Sequence, residues 1–500
     1  MERLRMFING QYVESKSDAC MDIYDPSIGE VIARTPRCTE EEVKSAVEAA
    51  RAAYPGWKRT PPGQRAQLLF NLRNLIKENL EELTYSVCLE NGKAWGEAEG
   101  DVGKALEMVE FACGIPTLMK GESLMNASRG VDTTEYREPL GVFAGIAPWN
   151  FPAMIPMGWM TPLAVACGNT YVLKAASFTP MTSLKMAKLY KDAGFPDGVV
   201  NVVTCSRKEA ETLLSHPDIR GVTFVGSTSV GLHVYSTAAK NGKRVQALCE
   251  AKNHALVLRD APITRTAAGI LNSAFGCAGE RCMALPCVVV EEEIADRLVA
   301  EIVRLCKKQV IGPAYDKNTN LGPVATAEHR DFVLEWIGKG IEEGAEIVLD
   351  GRNVKVEGYE KGFYIGHTIL DHVAPSMQVG QSEIFGPVLC VKRCKGFEDG
   401  LEMMNANPFA NGSVIYTQNG FYAREFTERT DGGMVGINVG IPVPIGVFSF
   451  TGHKRSFFGD LHCHGRDAIR FFTDAKTVTS RWFDEEEMKS EKVSTWDGAV

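Results

Sequence analysis

Five hundred residues are too many for one compact domain and predict about two to four. A composition of 45% hydrophobic and 23% charged residues is that of a globular chain and argues against long disorder. The net charge of −9 argues against nucleic-acid binding, and fourteen scattered cysteines without a CxxC pair read as reduced thiols of a cytoplasmic protein.

The opening MERLRMFINGQY becomes a strand-and-turn pattern within ten residues and lacks the apolar core of a targeting peptide. Residues 7–35 predict short strands joined by Asn9-Gly10 and Pro26-Ser27 turns. Thr39 with Glu42 predicts a capping box that opens an amphipathic helix. A second helix is predicted over Pro62–Glu90, with Leu68, Leu69, Leu72 and Leu75 on one face, and a third over Glu97–Cys113. The charge-free run Pro139–Leu173 is long enough to span a bilayer. Pro148, Pro152, Pro156 and Pro162, with Asn150 and Asn169, punctuate it instead as buried strands and turns, so no membrane contact is expected.

From Gly141 strand-like runs recur at GVFAGIAP, TYVLKA, VVNVV, VTFVGS and ALVLRD, with helices such as 181–193 and 229–241 between them. Such alternation predicts a parallel sheet, the usual platform for a nucleotide. It resumes after residue 286 with PCVVVEE, a helix near 294–308, EIVLDG, VLCVKRC and SVIYT, which predicts a second α/β domain. The triplet His462-Cys463-His464 has no second cluster to complete four ligands, so a polar loop and no metal are expected. The stretch after Trp482 is polar and expected to fray.

Five motifs carry candidate chemistry. In SAFGCAGERCMA, residues 273–284, the thiol Cys282 follows Gly276 and Gly279 and stands behind Arg281, whose guanidinium favours thiolate. In Ala147-Pro148-Trp149-Asn150-Phe151-Pro152 an asparagine between prolines can present its amide to a developing oxyanion. Lys174 ends a predicted strand where nucleotides bind. Gly226-Ser227 and Gly231 lead from a strand into a helix whose first amides attract phosphate. Glu383-Ile-Phe385-Gly-Pro places a carboxylate and a ring before a turn.

Taken singly, each motif has an ordinary structural reading. In this order and spacing, Asn150, Lys174, Gly226, Cys282 and Glu383 resemble the aldehyde dehydrogenase superfamily over residues 5–485. The stretches 243–261, 275–284 and 448–460 resemble its CoA-acylating methylmalonate-semialdehyde (malonate-semialdehyde) branch. The resemblance implies an α/β fold with a Rossmann-like coenzyme domain (1–117 and 140–250) and a catalytic domain (251–452). It further implies an oligomerisation β-arm (118–139 and 465–486), a polar tail (487–500) and a homodimer or homotetramer. Cys282 is implied as nucleophile, with Asn150 and the Cys282 amide as oxyanion hole. Ala147, Trp149, Lys174, Ser177, Gly226, Ser227, Gly231, Cys249, Glu383 and Phe385 are implied at the coenzyme site. Arg281 and Lys104 are implied as the clamp on a substrate carboxylate.

Three departures from the family pattern bear on function. Leu248 occupies the place of the glutamate base that lies thirty-four residues before the cysteine in hydrolytic members. Leucine cannot activate water, whereas a thiol needs no strong base, so acyl transfer to coenzyme A is expected. Glu250, where the family has glycine, keeps a hydrolytic alternative open. Lys104 replaces an arginine, keeping charge and losing the bidentate fork. Ala175-Ala176-Ser177-Phe178 lacks the glutamate that grips the adenosine ribose; NAD is expected because no extra cation replaces it, with NADP as the alternative. A structural protein of this fold without catalysis is a further alternative, against which the joint presence of Asn150, Lys174, Cys282 and Glu383 argues.

Overall fold

The Thr39 hydroxyl accepts the amide of Glu42 at 3.3 Å, and the Glu42 carboxylate accepts the amide of Thr39 at 2.8 Å. This reciprocal cap is worth about 1 kcal/mol and starts helix α1, Glu40–Arg59, where the sequence predicts it. The computed structural model describes residues 2–128 and 130–491, so residues 492–500 of the expected polar tail lie outside the described residues.

The helix expected over Pro62–Glu90 is two helices, α2 (Pro62–Glu78) and α3 (Leu80–Asn91). Asn79 breaks it: its side-chain amide donates to the Leu75 carbonyl at 2.8 Å, offering the backbone a local alternative to the next helical turn. Helix α4 spans Trp95–Cys113 and packs on α2 and α3. The run 139–173 also departs from expectation. Between its two strands lie a π-helical segment, Met154–Met160, and a short α-helix, Thr161–Ala166, both fully buried. The run is free of charge and mostly apolar because other parts of the protein cover most of it, which composition alone does not distinguish from lipid. Among the described residues no helix is long and apolar enough to cross a membrane.

Two sheets organise the molecule. The first has eight strands, with five parallel strands at its centre in the spatial order Arg244–Leu248, Ile219–Val225, Val142–Ile146, Thr170–Lys174, Val200–Val203. Antiparallel strands flank them, Phe457–Gly459 on one edge and the hairpin Met6–Ile8/Gln11–Val13 on the other. Chain order reverses between Val142–Ile146 and Ile219–Val225, and at such a switch point the loops leaving the strands diverge and open a crevice. The second sheet has seven strands, all parallel except its edge strand Glu346–Leu349. Its inner strands, Val388–Cys394, Cys287–Glu291, His254–Val257 and Gly412–Tyr416, are buried throughout apart from Arg393.

A third sheet pairs Ser123–Ser128, Val131–Pro139 and Thr473–Arg481. Residues 465–472, expected in the arm, instead form the helix Gly465–Phe472, with Phe471 and Phe472 edge-on to Phe143 of the first sheet. The triplet His462-Cys463-His464 is packed and is no polar loop: His462 stacks on Phe457 at 4.3 Å, and buried His464 meets Trp159 edge-on at 4.5 Å. The Cys463 carbonyl accepts the Phe450 amide at 2.7 Å and the Cys463 thiol donates to Gln246 Oε1 at 3.0 Å, contacts that hold the triplet in place. Among the described residues no group of three or more His, Cys, Asp and Glu side chains is placed to hold a metal ion.

Candidate active site

The carboxyl ends of the first sheet face the amino ends of the second. Asn253, Cys282, Glu383 and Asn411 each precede a strand of the second sheet, and those four strands are adjacent. The topology therefore converges on one edge residues that are up to 158 positions apart in the chain.

Cys282 lies where two cavities meet. One, of about 550 Å³, is lined by Ala147, Trp149, Asn150, Lys174, Ser177, Gly226, Ser227, Cys249, Glu250, Cys282, Glu383 and Phe385 among others. The other, of about 320 Å³, is lined by Glu97, Lys104, Phe151, Met154, Trp159, Arg281, Cys282, Ile441, Val443 and Phe450 among others. The first opens at the switch point of the parallel sheet, and the second is walled mainly by rings and aliphatic chains. Of the residues implied at the coenzyme site and the substrate clamp, Gly231 alone lines neither. It serves packing instead, since a Cβ there would collide with the Cys249 sulfur.

The cysteine loop is held against its own strain. Cys277, Ala278 and Gly279 adopt left-handed backbone angles, φ 53°, 52° and 74°, which cost about 1–2 kcal/mol for each of the two non-glycine residues. Beyond this turn the Cys282 carbonyl accepts two side-chain amides, from Asn253 at 2.9 Å and Asn411 at 3.3 Å. Asn253 also donates to Ala284 O at 2.7 Å and accepts the Gly412 amide at 2.8 Å, so it ties the loop to two strands of the sheet. Sequence reasoning missed both asparagines. Asn253 lies inside the family-like stretch 243–261, but nothing local marks it as a tether.

The expected activation of Cys282 by Arg281 is not found. Arg281 turns away: Nε donates to the Cys277 sulfur at 3.2 Å and Nη2 donates to Glu97, with the guanidinium against Gly276, where a Cβ would fall 2.7 Å from it. Burial pushes the Cys282 thiol up to about 12, the nearby Glu383 carboxyl adds to the rise, and Arg281 offsets it only weakly. Adjacency in sequence misled because the Arg281 guanidinium is held by Cys277 and Glu97 instead.

Asn150 is buried, and its side-chain amide donates to Glu280 O at 3.0 Å. Its own carbonyl accepts Lys93 Nζ at 2.7 Å, and Lys93 pairs at 2.9 Å with Asp101, both side chains almost wholly buried. Asp101 in turn accepts the Met154 amide at 2.7 Å. Helix α4 thus fixes the 147–154 turn through one buried ion pair, with its remaining valences satisfied by backbone. The Trp149 carbonyl accepts Asn91 and Thr179, each at 3.1 Å, and the Trp149 ring meets Phe178, His329 and Phe385 at 5.4–5.5 Å.

Glu383 is half-buried, and desolvation pushes its carboxyl up to about 8 although the Ala251 amide donates to Oε1 at 3.0 Å. Its other oxygen has no hydrogen-bond partner among the described residues, so it can accept hydroxyl donors from a ligand in the first cavity. Lys174 Nζ lies 3.5 Å from Ser177 Oγ, and burial lowers its basicity. Ser227 precedes the helix Thr228–Lys240 without capping it. The cap comes from Glu250, whose carboxylate accepts the Thr228 amide at 2.9 Å. Leu248 is buried in the apolar cluster against which Cys282 packs.

These features fit a nucleotide cofactor in the first cavity: a helix N-terminus at a switch point, a lysine at a strand end, and a half-buried carboxylate with one oxygen left free. The second cavity offers the same sulfur to a small substrate from the other side. His329, also missed in the sequence, borders the first cavity and donates to Phe385 O at 2.7 Å; burial keeps it neutral. Trp159 and Phe450 were likewise unmarked, because each reads as ordinary core until the cavity they border is seen.

Comparison with known proteins agrees with this geometry. Residues 12–478 match the model of the aldehyde dehydrogenase family. Malonate-semialdehyde dehydrogenase 2 of Bacillus mycoides (strain KBAB4) is 45% identical over 482 residues, covering 96% of this chain and 99% of the relative. A crystal structure from Sinorhizobium meliloti 1021, described as a methylmalonate-semialdehyde dehydrogenase complexed with NAD, superposes with a TM-score of 0.95 at 42% identity, covering 97% of this chain and 99% of that one. The methylmalonate-semialdehyde dehydrogenase of Oceanimonas doudoroffii gives a TM-score of 0.95 at 41% identity with the same coverage. On the match of nearly the whole chain and on a cysteine shared by a nucleotide-shaped and a substrate-sized cavity, the protein belongs to the aldehyde dehydrogenase family, oxidoreductases acting on aldehydes.

Proposed function

We propose that the protein oxidises a short carboxylated semialdehyde, malonate or methylmalonate semialdehyde, and passes the acyl group to coenzyme A. The observation that carries this reading is the surroundings of Cys282: an aldehyde can reach the sulfur from the second cavity, and neither of the two positions where a water-activating base is expected, 248 and 250, presents a free one. Leu248 is apolar, and the Glu250 carboxylate is engaged on the Thr228 amide.

The Cys282 sulfur, losing its proton, adds to the aldehyde carbon. The Asn150 side-chain amide and the Cys282 backbone amide donate to the oxygen that becomes negative, the Asn150 donor turning from Glu280 O to do so. NAD, when bound in the first cavity, supplies the hydride acceptor, with Glu383 on the nicotinamide ribose, Lys174 and Ser177 on the adenosine side, and Gly226, Ser227 and the start of Thr228–Lys240 at the pyrophosphate. Oxidation leaves a thioester on Cys282, and the coenzyme A thiolate attacks its carbonyl and releases Cys282 as the thiolate. With a β-carboxylated acyl group the bond to the carboxylate breaks, the carboxylate departs as carbon dioxide or bicarbonate and a proton from solvent takes its place on carbon, giving acetyl-CoA or propionyl-CoA. Arg281 and Lys104, in the wall of the second cavity, are the cations available to the substrate carboxylate.

NAD is the coenzyme of this reading, supported by the NAD complex of the Sinorhizobium relative. The protein acts in the cytoplasm as a homodimer or homotetramer joined through the three-stranded sheet. Support for the arm comes from Leu124 and Met125 on that sheet, 62% and 78% exposed, with Trp482 just beyond it at 82%. The test is to supply malonate semialdehyde and NAD with and without coenzyme A and to identify products by mass spectrometry. Acetyl-CoA formed only with coenzyme A agrees with the reading. Free acid formed equally well without it refutes acyl transfer.

A further inference from the structure

The two cations of the expected clamp are already engaged. Arg281 Nη2 donates to Glu97, and the Cys277 thiol, which accepts Arg281 Nε, lies 3.2 Å from the same Glu97 oxygen. The Arg281 and Glu97 side chains are 13% and 23% exposed, so water screens their pairing little. Lys104 Nζ donates to Glu107 at 2.6 Å, and Glu107 also takes the Gly446 amide. The remaining carboxylate of the cavity wall, Asp101, belongs to Lys93. Glu97 sits in the first turn of α4, where a carboxylate is favoured by the free helix amides, and it borders the cavity that reaches Cys282.

We infer that Glu97 is a specificity-determining residue: it competes with the aldehyde's own carboxylate for Arg281 and so sets the preference for carboxylated over uncharged aldehydes of the same length. This rests on the proposed function for the identity of the substrate. A guanidinium has five N–H donors, and those on Nη1 have no hydrogen-bond partner among the described residues, so a substrate carboxylate can share the fork with Glu97. It then lies beside a like charge in a pocket walled mainly by rings and aliphatic chains. An uncharged aldehyde meets a charge-balanced wall and the rings of Phe151, Trp159 and Phe450. Removing the Glu97 charge frees Arg281 for the carboxylated substrate and leaves the apolar contacts untouched.

The test compares kcat/KM for malonate semialdehyde and for propanal, which has a methyl in place of the carboxylate, in the wild type and in Glu97→Gln. The ratio is expected to rise by about tenfold, through KM for malonate semialdehyde, with propanal changed by less than about twofold; removing one like charge from such a pocket is worth about 1.4 kcal/mol. An unchanged or falling ratio overturns the inference. Should Glu97→Gln fail to fold, Glu97→Asp, which withdraws the carboxylate by one methylene, must move the ratio in the same direction, and no movement overturns it. If the wild type oxidises propanal and leaves malonate semialdehyde untouched, the proposed substrate is wrong, and inhibition of propanal oxidation by malonate then decides the inference. Tighter inhibition in Glu97→Gln upholds it, and equal inhibition overturns it.

Discussion

Glu250 stands where a phosphate would dock. Its carboxylate accepts the first amide of Thr228–Lys240 at 2.9 Å and lines the 550 Å³ cavity. Replacing it with glutamine removes one negative charge and keeps the side-chain length. The charge stabilises the helix N-terminus by about 0.3–1 kcal/mol, a small loss for the fold. Against a bound pyrophosphate it acts in the opposite sense. Two like charges about 5 Å apart, at an effective dielectric of about 40 for this half-buried position, repel by roughly 1.7 kcal/mol. Glu250→Gln is therefore expected to tighten NAD binding by about tenfold. Titrating NAD against the fluorescence of Trp149, which borders the same cavity, measures this directly. The variant should also keep acyl transfer to coenzyme A, since its carboxylate is not placed as a base. Unchanged or weaker NAD binding refutes the electrostatic argument, and loss of product formation with NAD saturating makes Glu250 the missing base.

Three further outcomes follow from named contacts. Glu383 is pushed up to about 8 by burial, with the Glu250 charge adding to the rise, so its ionised acceptor form grows as pH increases through 8. KM for NAD should fall between pH 7 and 9, and the midpoint should move to lower pH in Glu250→Gln, which takes away a raising charge; a midpoint that stays put contradicts the assignment. Because burial holds the Cys282 thiol up to about 12, iodoacetamide should modify it slowly at neutral pH, the rate rising about tenfold per pH unit up to pH 10; a plateau near pH 7 means a thiolate is already formed. Asn253→Ala leaves the Ala284 carbonyl and the Gly412 amide without their side-chain partner and the Cys282 carbonyl with Asn411 alone, which costs about 2–4 kcal/mol in stability. It should also lower kcat/KM about a hundredfold by releasing the cysteine loop, read by thermal melting and steady-state rates.

The sequence carried the alternation of strands and helices where a strand is a short apolar run closed by a turn; Arg244–Leu248, interrupted by Gln246, and the short Thr368–Asp371 and Met434–Ile437 were not singled out as strands. Thr39 and Glu42 cap their helix as their spacing predicts. The segment 154–166 was misread because proline stands in the first turn of a helix as readily as it breaks one, and Pro162 occupies that position. Within the site, most residues that line the first cavity were legible as motifs because they follow or precede a strand; His329, inside the helix Ala327–Glu342, was not. Those that act at a distance in sequence were not. Glu97 on Arg281, Asn253 on the Cys282 carbonyl and Glu250 on the Thr228 amide are pairings across 184, 29 and 22 residues, fixed by sheet order alone. Arg281 is the instructive case: one residue from Cys282 in the chain, it spends its donors on Cys277 and Glu97.

The central claim is that Cys282 carries the acyl group and that coenzyme A removes it. Protein mixed with malonate semialdehyde and NAD, without coenzyme A, should be quenched, digested and analysed for the peptide containing Cys282. The account predicts an acyl adduct on that cysteine, absent from Cys282→Ala, that persists until coenzyme A is added and then leaves as acetyl-CoA. An adduct on Cys277 contradicts the assignment of the nucleophile, and rapid loss of the Cys282 adduct to free acid before coenzyme A is added contradicts the acylating function.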